Sequence, residues 1–211
     1  MNKSVFVISA GGHTKVLLEC LCALGNYVVS GMIETDQNKI GQEILGVKII
    51  SQDFFLENYP PSKAILVNGL GSVRNPTARK NIFLYFKKLG YNFLTLIHPT
   101  AYIAKEVILG EGCQILTRAV LQLGCQISDN VIINTGATID HDCVIAYHSH
   151  IAPGVTVCGD VSIGKVCHIG AKATILQGIQ IEDNCLVAAG AVVISNVLEN
   201  SCVAGVPAKP I

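Results

Sequence analysis

The most regular feature of the sequence is an aliphatic side chain that returns at every sixth residue through its C-terminal half. Stepping by six from Ile97 to Val193 gives 17 positions, and each is isoleucine, leucine or valine. A helical period of 3.6 residues cannot stay in register with this repeat, whereas short strands joined by tight corners complete a triangular coil in about 18 residues. The pattern therefore predicts an all-β, left-handed parallel β-helix of hexapeptide repeats over residues 94–211, rather than a β-sandwich with accidental spacing.

Residues 1–93 lack the repeat and instead alternate short apolar segments with helix-like ones. Strands are predicted at 5–8, 28–33 and 64–67, and helices at 14–24 and about 76–89. The order β-α-β-β-α-β is typical of a small, mostly parallel sheet. We therefore expect an α/β, Rossmann-like N-terminal domain followed by the β-helix.

Polar residues and glycines follow each predicted strand of this first domain. They are Gly11, Gly12 and His13 after the first strand, Glu34 and Asp36 after the second, and Asn68 and Gly69 after the third. Ligands of parallel sheets bind at the carboxyl ends of the strands, so these residues are candidates for substrate binding. Ser9, Gly11 and Thr14 do not match the dinucleotide fingerprint, which disfavours an NAD site. The alternative is that these glycines only make tight turns.

Composition narrows the classes of partner. Charged residues are 14% of the chain and the formal net charge is zero, so we expect no nucleic-acid partner. Short, interrupted apolar runs predict no membrane insertion, and the N-terminus shows no export signal, which favours a cytoplasmic protein. Nine cysteines are present, and five of them recur at multiples of six residues: Cys113, Cys125, Cys143, Cys167 and Cys185. That spacing predicts buried thiols at one repeating position rather than disulfides.

Polar residues that interrupt the hexad pattern cluster between 134 and 150. They include Asn134, the run Asp140-His141-Asp142, and the pair His148 and His150. Transfer of an acyl group from a thioester to an amine or hydroxyl needs a base, and histidine titrates near neutral pH. His141 is the candidate base, and either flanking aspartate could orient its imidazole.

A zinc site is the alternative, because hydratases of the γ-carbonic-anhydrase type share the fold and use histidine ligands. His141, His148 and His150 lie along one local stretch, and their spacing does not imply three convergent imidazoles. We therefore expect no metal.

Three segments resemble one family across most of the chain. They are Ser9-Ala10-Gly11-Gly12-His13-Thr14-Lys15-Val16, Ile133-Asn134-Thr135-Gly136-Ala137-Thr138-Ile139-Asp140-His141-Asp142-Cys143, and Gly205-Val206-Pro207-Ala208-Lys209. The chain resembles the bacterial sugar acetyltransferases of the PglD/NeuD type. The resemblance implies a nucleotide-sugar-binding domain at 1–93, an acetyltransferase domain at 94–211, acetyl-CoA as co-substrate, and a homotrimer with active sites between neighbouring subunits.

The resemblance also implies roles for individual residues. His141 matches the catalytic base and Asp142 the acidic residue beside it. The acetyl-CoA site is implied at Asn134, His150, Gly159, Ala171 and Ala189, with His150 near the thioester. The nucleotide-sugar site is implied at Gly12, His13, Glu34, Asp36, Asn68 and Gly69. Asp142 is shorter than the glutamate of some relatives, and the loop 68–72 differs from the corresponding loop of several.

The resemblance, together with the run Asp140-His141-Asp142, implies N-acetylation of a UDP- or GDP-linked 4-amino-4,6-dideoxy sugar for a surface glycan, by direct transfer with His141 as general base. One alternative is O-acetylation of a sialic-acid-like sugar, which the same base could serve. Another is a non-catalytic scaffold, because β-helices also act as rigid spacers. The low charge and the long faces of a prism predict self-association, while the number three comes from the resemblance.

Overall fold

The computed structural model describes residues 4–73 and 76–211, and it consists of an α/β sheet followed by a left-handed parallel β-helix. The predicted fold class is thus confirmed. In the described part of the chain, no helix has both the length and the apolar character that a membrane span requires.

The N-terminal part is one six-stranded sheet in the order β3-β4-β2-β1-β5-β6, in which all pairs except β3–β4 are parallel. Its elements are β1 (Ser4–Ile8), α1 (Gly12–Leu24), β2 (Val29–Glu34), β3 (Glu43–Ile44), β4 (Val47–Ser51), α2 (Gln52–Asn58), β5 (Ala64–Asn68), α3 (Thr77–Lys88) and β6 (Asn92–Phe93). The predicted strands and helices of this region agree with β1, α1, β2, β5 and α3 to within two residues.

The hairpin of β3 and β4 and the short helix α2 were not predicted. Helix α2 has only seven residues, which is too short to show a helical period, and its signal is local: the hydroxyl of Ser51 accepts a hydrogen bond from the backbone N–H of Phe54. Strand β4 extends the parallel sheet beside β2, and β3 adds an antiparallel strand at its edge.

The β-helix starts at β7, and its strands up to β23 have two residues each and pair with the strand one coil away, 18 residues along the chain. Face 1 contains β7 (Leu96–Ile97), β10 (Gln114–Ile115), β13 (Ile132–Ile133), β16 (His150–Ile151), β19 (His168–Ile169), β22 (Leu186–Val187), β24 (Cys202–Gly205) and β25 (Ala208–Pro210). The longer β24 pairs with β22, and β25 folds back antiparallel on β24. Face 2 contains β8 (Tyr102–Ile103), β11 (Val120–Leu121), β14 (Thr138–Ile139), β17 (Thr156–Val157), β20 (Thr174–Ile175) and β23 (Val192–Val193). Face 3 contains β9 (Ile108–Leu109), β12 (Gln126–Ile127), β15 (Val144–Ile145), β18 (Ser162–Ile163) and β21 (Gln180–Ile181).

The hexad aliphatics fill the inside of the prism, as predicted, and most are fully buried. The five periodic cysteines are buried and free, as expected. Their position explains the residue type, because the thiols of four of them donate a hydrogen bond to a backbone carbonyl 15 residues along the chain. Cys125 donates to the carbonyl of Asp140, and Cys143 to that of Cys158. A small thiol therefore fills a corner of the core and also satisfies a buried carbonyl.

The corners of the prism depend on a left-handed backbone residue that recurs every six residues from Glu106 to Gly190. Glycine, asparagine and aspartate occupy most of these positions, as their tolerance of positive φ predicts. Asp142 is one of them, with φ of 60°.

The N-terminal domain packs on face 1. Outward-facing residues of this face, including Leu96, Gln114 and Ile132, are fully buried, and α1 contributes Leu17 and Leu21 to the same cluster. Corresponding residues of face 3, from Gln126 to Gln180, are exposed. The two parts of the chain therefore share a core, and any site between them is built on face 1.

Candidate active site

His141 and Asp142 lie at the corner that joins face 2 to face 3. The imidazole Nδ1 of His141 is 2.9 Å from Oδ2 of Asp142, while Oδ1 of Asp140 accepts the backbone N–H of His141 at 2.8 Å. The two aspartates, which the sequence could not distinguish, therefore make different contacts: Asp142 bonds the imidazole and Asp140 bonds the backbone.

Glycines one coil away on either side make room for this pair. A Cβ placed on Gly159 would lie 2.5 Å from Nε2 of His141, and one placed on Gly124 would overlap the carboxylate of Asp142. The imidazole thus lies flat against the next coil over Gly159. Gly159 is buried beneath it, so a side chain at this position would displace the ring.

The electrostatic environment of His141 favours its protonated form. Its side chain is 59% exposed, so it loses little hydration. The hydrogen bond that His141 donates to Asp142 and the nearby negative charge of Asp140 raise the pKa of His141 above its ordinary value. An imidazole whose Nδ1 is hydrogen-bonded to a carboxylate can accept a proton at Nε2.

His150 occupies the opposite kind of environment, on face 1 beneath the N-terminal domain. Its Nδ1 is 2.7 Å from the hydroxyl of Ser72, and its Nε2 is 3.0 Å from the amide nitrogen of Asn134. The ring of His168, one coil further, stands almost perpendicular to it with centroids 5.0 Å apart. Burial, together with the charge that His168 would carry, lowers the pKa of His150 well below its ordinary value.

A cavity of about 450 Å³ opens beside His150, between the start of α1 and the loop after β5. Gly12, His13 and Gly69, which the sequence predicts as substrate-binding residues, lie in its wall. His13 is fixed there because its Nε2–H donates to the side chain of Gln114 on face 1, at 2.7 Å. Burial lowers the pKa of His13 to about 4, so it is neutral near pH 7.

A second cavity, of about 400 Å³, adjoins the first, because Ser9 and Leu70 line both. Glu34 lies in its wall, where its carboxylate accepts the backbone N–H groups of Ala10 at 3.1 Å and Thr35 at 2.9 Å. Burial acts to raise the pKa of Glu34, but these backbone hydrogen bonds outweigh it and lower the pKa overall. The rest of the wall is mostly apolar, with the polar side chains of Gln52, Asn81 and Tyr85 among it.

Asn68 and Gly69 shape the loop after β5 rather than present side chains to the cavity. Asn68 is buried and bonds the carbonyl of Arg79 and the side chain of Asn130. A Cβ on Gly69 would collide with Thr14, which explains the glycine. Asp36 is exposed, caps the backbone of Asn38 and lies outside the lining of both cavities.

The residues expected to bind acetyl-CoA fall on two corners. Asn134, Ala171 and Ala189 lie where face 1 meets face 2, and Gly159 lies with His141 where face 2 meets face 3. The width of face 2 separates the two groups within one chain. A single chain therefore brings His150 to the cavity of the N-terminal domain but leaves His141 at a different edge of the prism.

His141, His148 and His150 do not converge. His148 lies at the corner between face 3 and face 1, where it bonds Asn130 and packs edge-on against Phe83. Across residues 4–73 and 76–211, no group of three or more histidine, cysteine or acidic side chains is arranged to hold a metal ion.

The sequence analysis assigned no role to Gln114, His168 or Ser72. The repeat itself could have found the first two, because Gln114, His150 and His168 are separated by whole coils on face 1. Ser72 gave no such signal, since its contact with His150 depends on how the N-terminal domain docks.

Comparison with known proteins agrees with this architecture. A family model described as the PglD N-terminal domain matches residues 4–86, and one described as the hexapeptide repeat of succinyl-transferase matches residues 160–195. The chain is similar to the acetyltransferase domain of PglB from Neisseria gonorrhoeae FA1090, solved also in complex with acetyl coenzyme A, with 34% identity, a TM-score of 0.90 and all of both chains covered.

A histidine mutant of perosamine N-acetyltransferase from Caulobacter crescentus, in complex with CoA and GDP-perosamine, is also similar, with 29% identity and a TM-score of 0.89 over 99% of this chain and 96% of that one. WeeI from Acinetobacter baumannii AYE shares the fold at 23% identity, with a TM-score of 0.81 and complete coverage of both chains.

Proposed function

This chain belongs to the PglD/NeuD-type family of sugar acetyltransferases, and from that membership we propose that it N-acetylates a UDP- or GDP-linked 4-amino-4,6-dideoxy sugar. It is an acyltransferase that uses acetyl-CoA as co-substrate. The observation that carries the finer proposal is the His141–Asp142 pair, held over Gly159 at an exposed corner of the β-helix. The similarity to a protein that binds CoA and GDP-perosamine supports the choice of a nucleotide-linked amino sugar.

The proposed chemistry is direct transfer. The neutral amine of the sugar attacks the thioester carbonyl, a C–N bond forms, and the C–S bond breaks to release the thiolate of coenzyme A. Nε2 of His141 takes the proton that the amine loses, and it can deliver this proton to the departing sulfur. Asp142 accepts Nδ1–H, so it fixes the tautomer that leaves Nε2 free to accept the proton.

We propose that the substrate occupies the two adjoining cavities of the N-terminal domain. The N-terminus of α1 and the glycines around it provide backbone N–H groups for the diphosphate. The apolar second cavity beside Glu34 suits a nucleobase, and the sugar would extend toward His150. We assign Asn134, His150, Gly159, Ala171 and Ala189 to the acetyl-CoA groove, as the family resemblance implies.

This arrangement favours a site shared between subunits. His141 lies across face 2 from the cavity that contains His150, so one chain cannot bring its base to its own sugar. We therefore propose that the protein is a homotrimer in which the His141 corner of one subunit meets the cavity of its neighbour. Sedimentation that shows a stable, active monomer would contradict this arrangement.

The test is a panel of UDP- and GDP-linked 4-amino sugars incubated with acetyl-CoA while free thiol is followed. Thiol release that depends on one of these sugars, and that drops in a His141→Ala variant, is the expected result. Release with a free sialic-acid-like sugar and none with nucleotide sugars would instead indicate O-acetylation. Failure to bind coenzyme A in calorimetry would indicate a non-catalytic scaffold.

A further inference from the structure

The junction between the loop after β5 and face 1 holds two histidines on a single serine. The hydroxyl of Ser72 is 2.7 Å from Nδ1 of His150 and 3.2 Å from Nδ1 of His168. Ser72 belongs to the N-terminal domain, whereas both histidines belong to the β-helix and occupy equivalent positions one coil apart. A hydroxyl has one hydrogen to donate, so it can donate to only one of the two rings and must accept from the other.

The direction of each hydrogen bond follows from Asn134. Its Oδ1 accepts the backbone N–H of Thr135 at 2.8 Å, which turns its amide nitrogen toward Nε2 of His150. Nε2 of His150 is therefore an acceptor, and the hydrogen of a neutral ring must be on Nδ1, where it donates to Ser72. The hydrogen of Ser72 is then directed to Nδ1 of His168, which leaves the hydrogen of that ring on Nε2.

Both rings are neutral in this arrangement. Burial lowers the pKa of His168, and burial with the neighbouring His168 lowers that of His150 further. The hydrogen bonds thus form one directed chain from Asn134 through His150 and Ser72 to His168. The two histidines, although equivalent in the repeat, are opposite tautomers.

We propose that Ser72 is a positioning residue: it accepts the Nδ1–H of His150, whose tautomer Asn134 fixes, and so couples the sugar-binding loop to the acetyl-CoA groove. The assignment of the tautomers stands on the contacts alone, whereas the coupling rests on the proposed function, in which His150 lies near the thioester. Ser72 and His150 both line the cavity beside α1, so a shift of the loop changes the support of the ring. The hydrogen bond therefore joins occupancy of one substrate site to the geometry of the other.

The tautomers can be measured directly on the full-length protein, without substrate. Nitrogen-15 NMR of histidine side chains distinguishes Nδ1–H from Nε2–H, and the chain has only six histidines. Asparagine substitutions at His150 and at His168 assign the two signals. We expect Nδ1–H at His150 and Nε2–H at His168 in the wild type and in Ser72→Thr, which keeps the hydroxyl. In Ser72→Ala the His168 signal should lose its pure Nε2–H character, whereas His150, whose Nε2 still accepts from Asn134, should keep Nδ1–H.

Kinetics then test the coupling. In Ser72→Ala we expect kcat to fall by roughly three- to tenfold with little change in the KM for acetyl-CoA, because the ring is misplaced rather than removed. Ser72→Thr should restore most of the rate, and Ser162→Ala, an exposed serine on face 3, serves as the matched control.

Two results would overturn the proposal: a His168 tautomer that does not respond to Ser72→Ala, or a kcat that Ser72→Ala leaves unchanged. If no sugar is acetylated by the wild type, the function proposed above fails, while the NMR experiment still decides whether Ser72 sets the tautomer of His168.

Discussion

The corner that carries His141 and the junction that carries His150 are nine residues apart in the chain and nearly opposite in their physical chemistry. His141 is exposed, bonded to a carboxylate and has a raised pKa, whereas His150 is buried, bonded to neutral groups and has a lowered one. The same hexapeptide repeat produces both, because half a coil separates an open corner from the face on which the N-terminal domain docks. One imidazole is thus suited to take up a proton and the other to act as a neutral hydrogen-bonding group.

The largest effect should come from removing each imidazole in turn. We expect His141→Ala to lower kcat by roughly 10²–10⁴-fold with thermal stability unchanged, since a base is lost from an exposed site. His150→Ala should lower kcat less but reduce the free energy of unfolding by about 1–3 kcal/mol, because buried partners are left unsatisfied. Thiol-release kinetics and urea unfolding measure the two quantities. Equal losses of stability in both variants would contradict the contrast.

Gly159 tests whether the position of the exposed ring matters. In Gly159→Ala the new methyl group would displace the imidazole of His141, and a misplacement of about 1 Å can lower kcat by up to roughly 10²-fold. The double variant with His141→Ala is the control: if Gly159 acts only through the ring, the second substitution adds no further loss. Full additivity would mean that Gly159 acts independently of His141.

Asp142→Asn tests the raised pKa. The base must be neutral, so the rate should rise with pH through a pKa above the ordinary value of 6.5 in the wild type. Without the carboxylate this limb should move to lower pH, and the plateau rate should fall roughly tenfold because the tautomer is less well fixed. The matched variant Asp140→Asn should move the limb less, since Asp140 bonds the backbone. The pH profile of kcat/KM distinguishes the two variants. If the acid limb of that profile does not move in Asp142→Asn, the contact with Asp142 is not the cause of the raised pKa of His141.

The smallest effect concerns stability in acid. His13 and His148 are neutral when folded, with pKa values lowered from 6.5 to about 4. Their contribution to stability is complete above pH 6.5 and is lost as the pH falls toward 4, because the unfolded chain binds protons first. At about pH 5.5 each of these two histidines should lower the free energy of unfolding by about 1 kcal/mol relative to neutral pH. Urea unfolding at about pH 5.5 and at neutral pH should show that His148→Gln loses less of its free energy of unfolding on acidification than the wild type. A wild-type free energy of unfolding that is the same at both pH values would contradict the burial of these rings.

Much of the fold could be predicted from the sequence because its period is uninterrupted. A side chain that returns every six residues for 17 positions admits one architecture, and the cysteines followed from the same register. The N-terminal strands were found where apolar runs end in glycine or acidic residues. Helix α2 has seven residues and strand β3 has two, which is too short to carry a period; β4 is as long as β1 but was not predicted either.

The site was less predictable, because its contacts depend on tertiary arrangement. Asp140 and Asp142 flank His141 equally in the sequence, and only the left-handed backbone at Asp142 and the opening over Gly124 settle their contacts. Asn68 is predicted to bind the substrate because it ends a strand, yet its side chain is buried against Arg79 and Asn130. Ser72 meets His150 across 78 residues of sequence, a contact that no local pattern encodes.

Because strands 18 residues apart pair strictly, each coil adds about 4.8 Å along the axis of the β-helix. The N-terminal domain contacts the β-helix at Gln114, and the imidazole of His141 lies over Gly159. Inserting or deleting a coil between these two residues would shift His141 by about 4.8 Å along the axis relative to the N-terminal domain. Coils beyond them can be gained or lost without changing that distance, so we expect length variation among homologous chains to be confined to the far end.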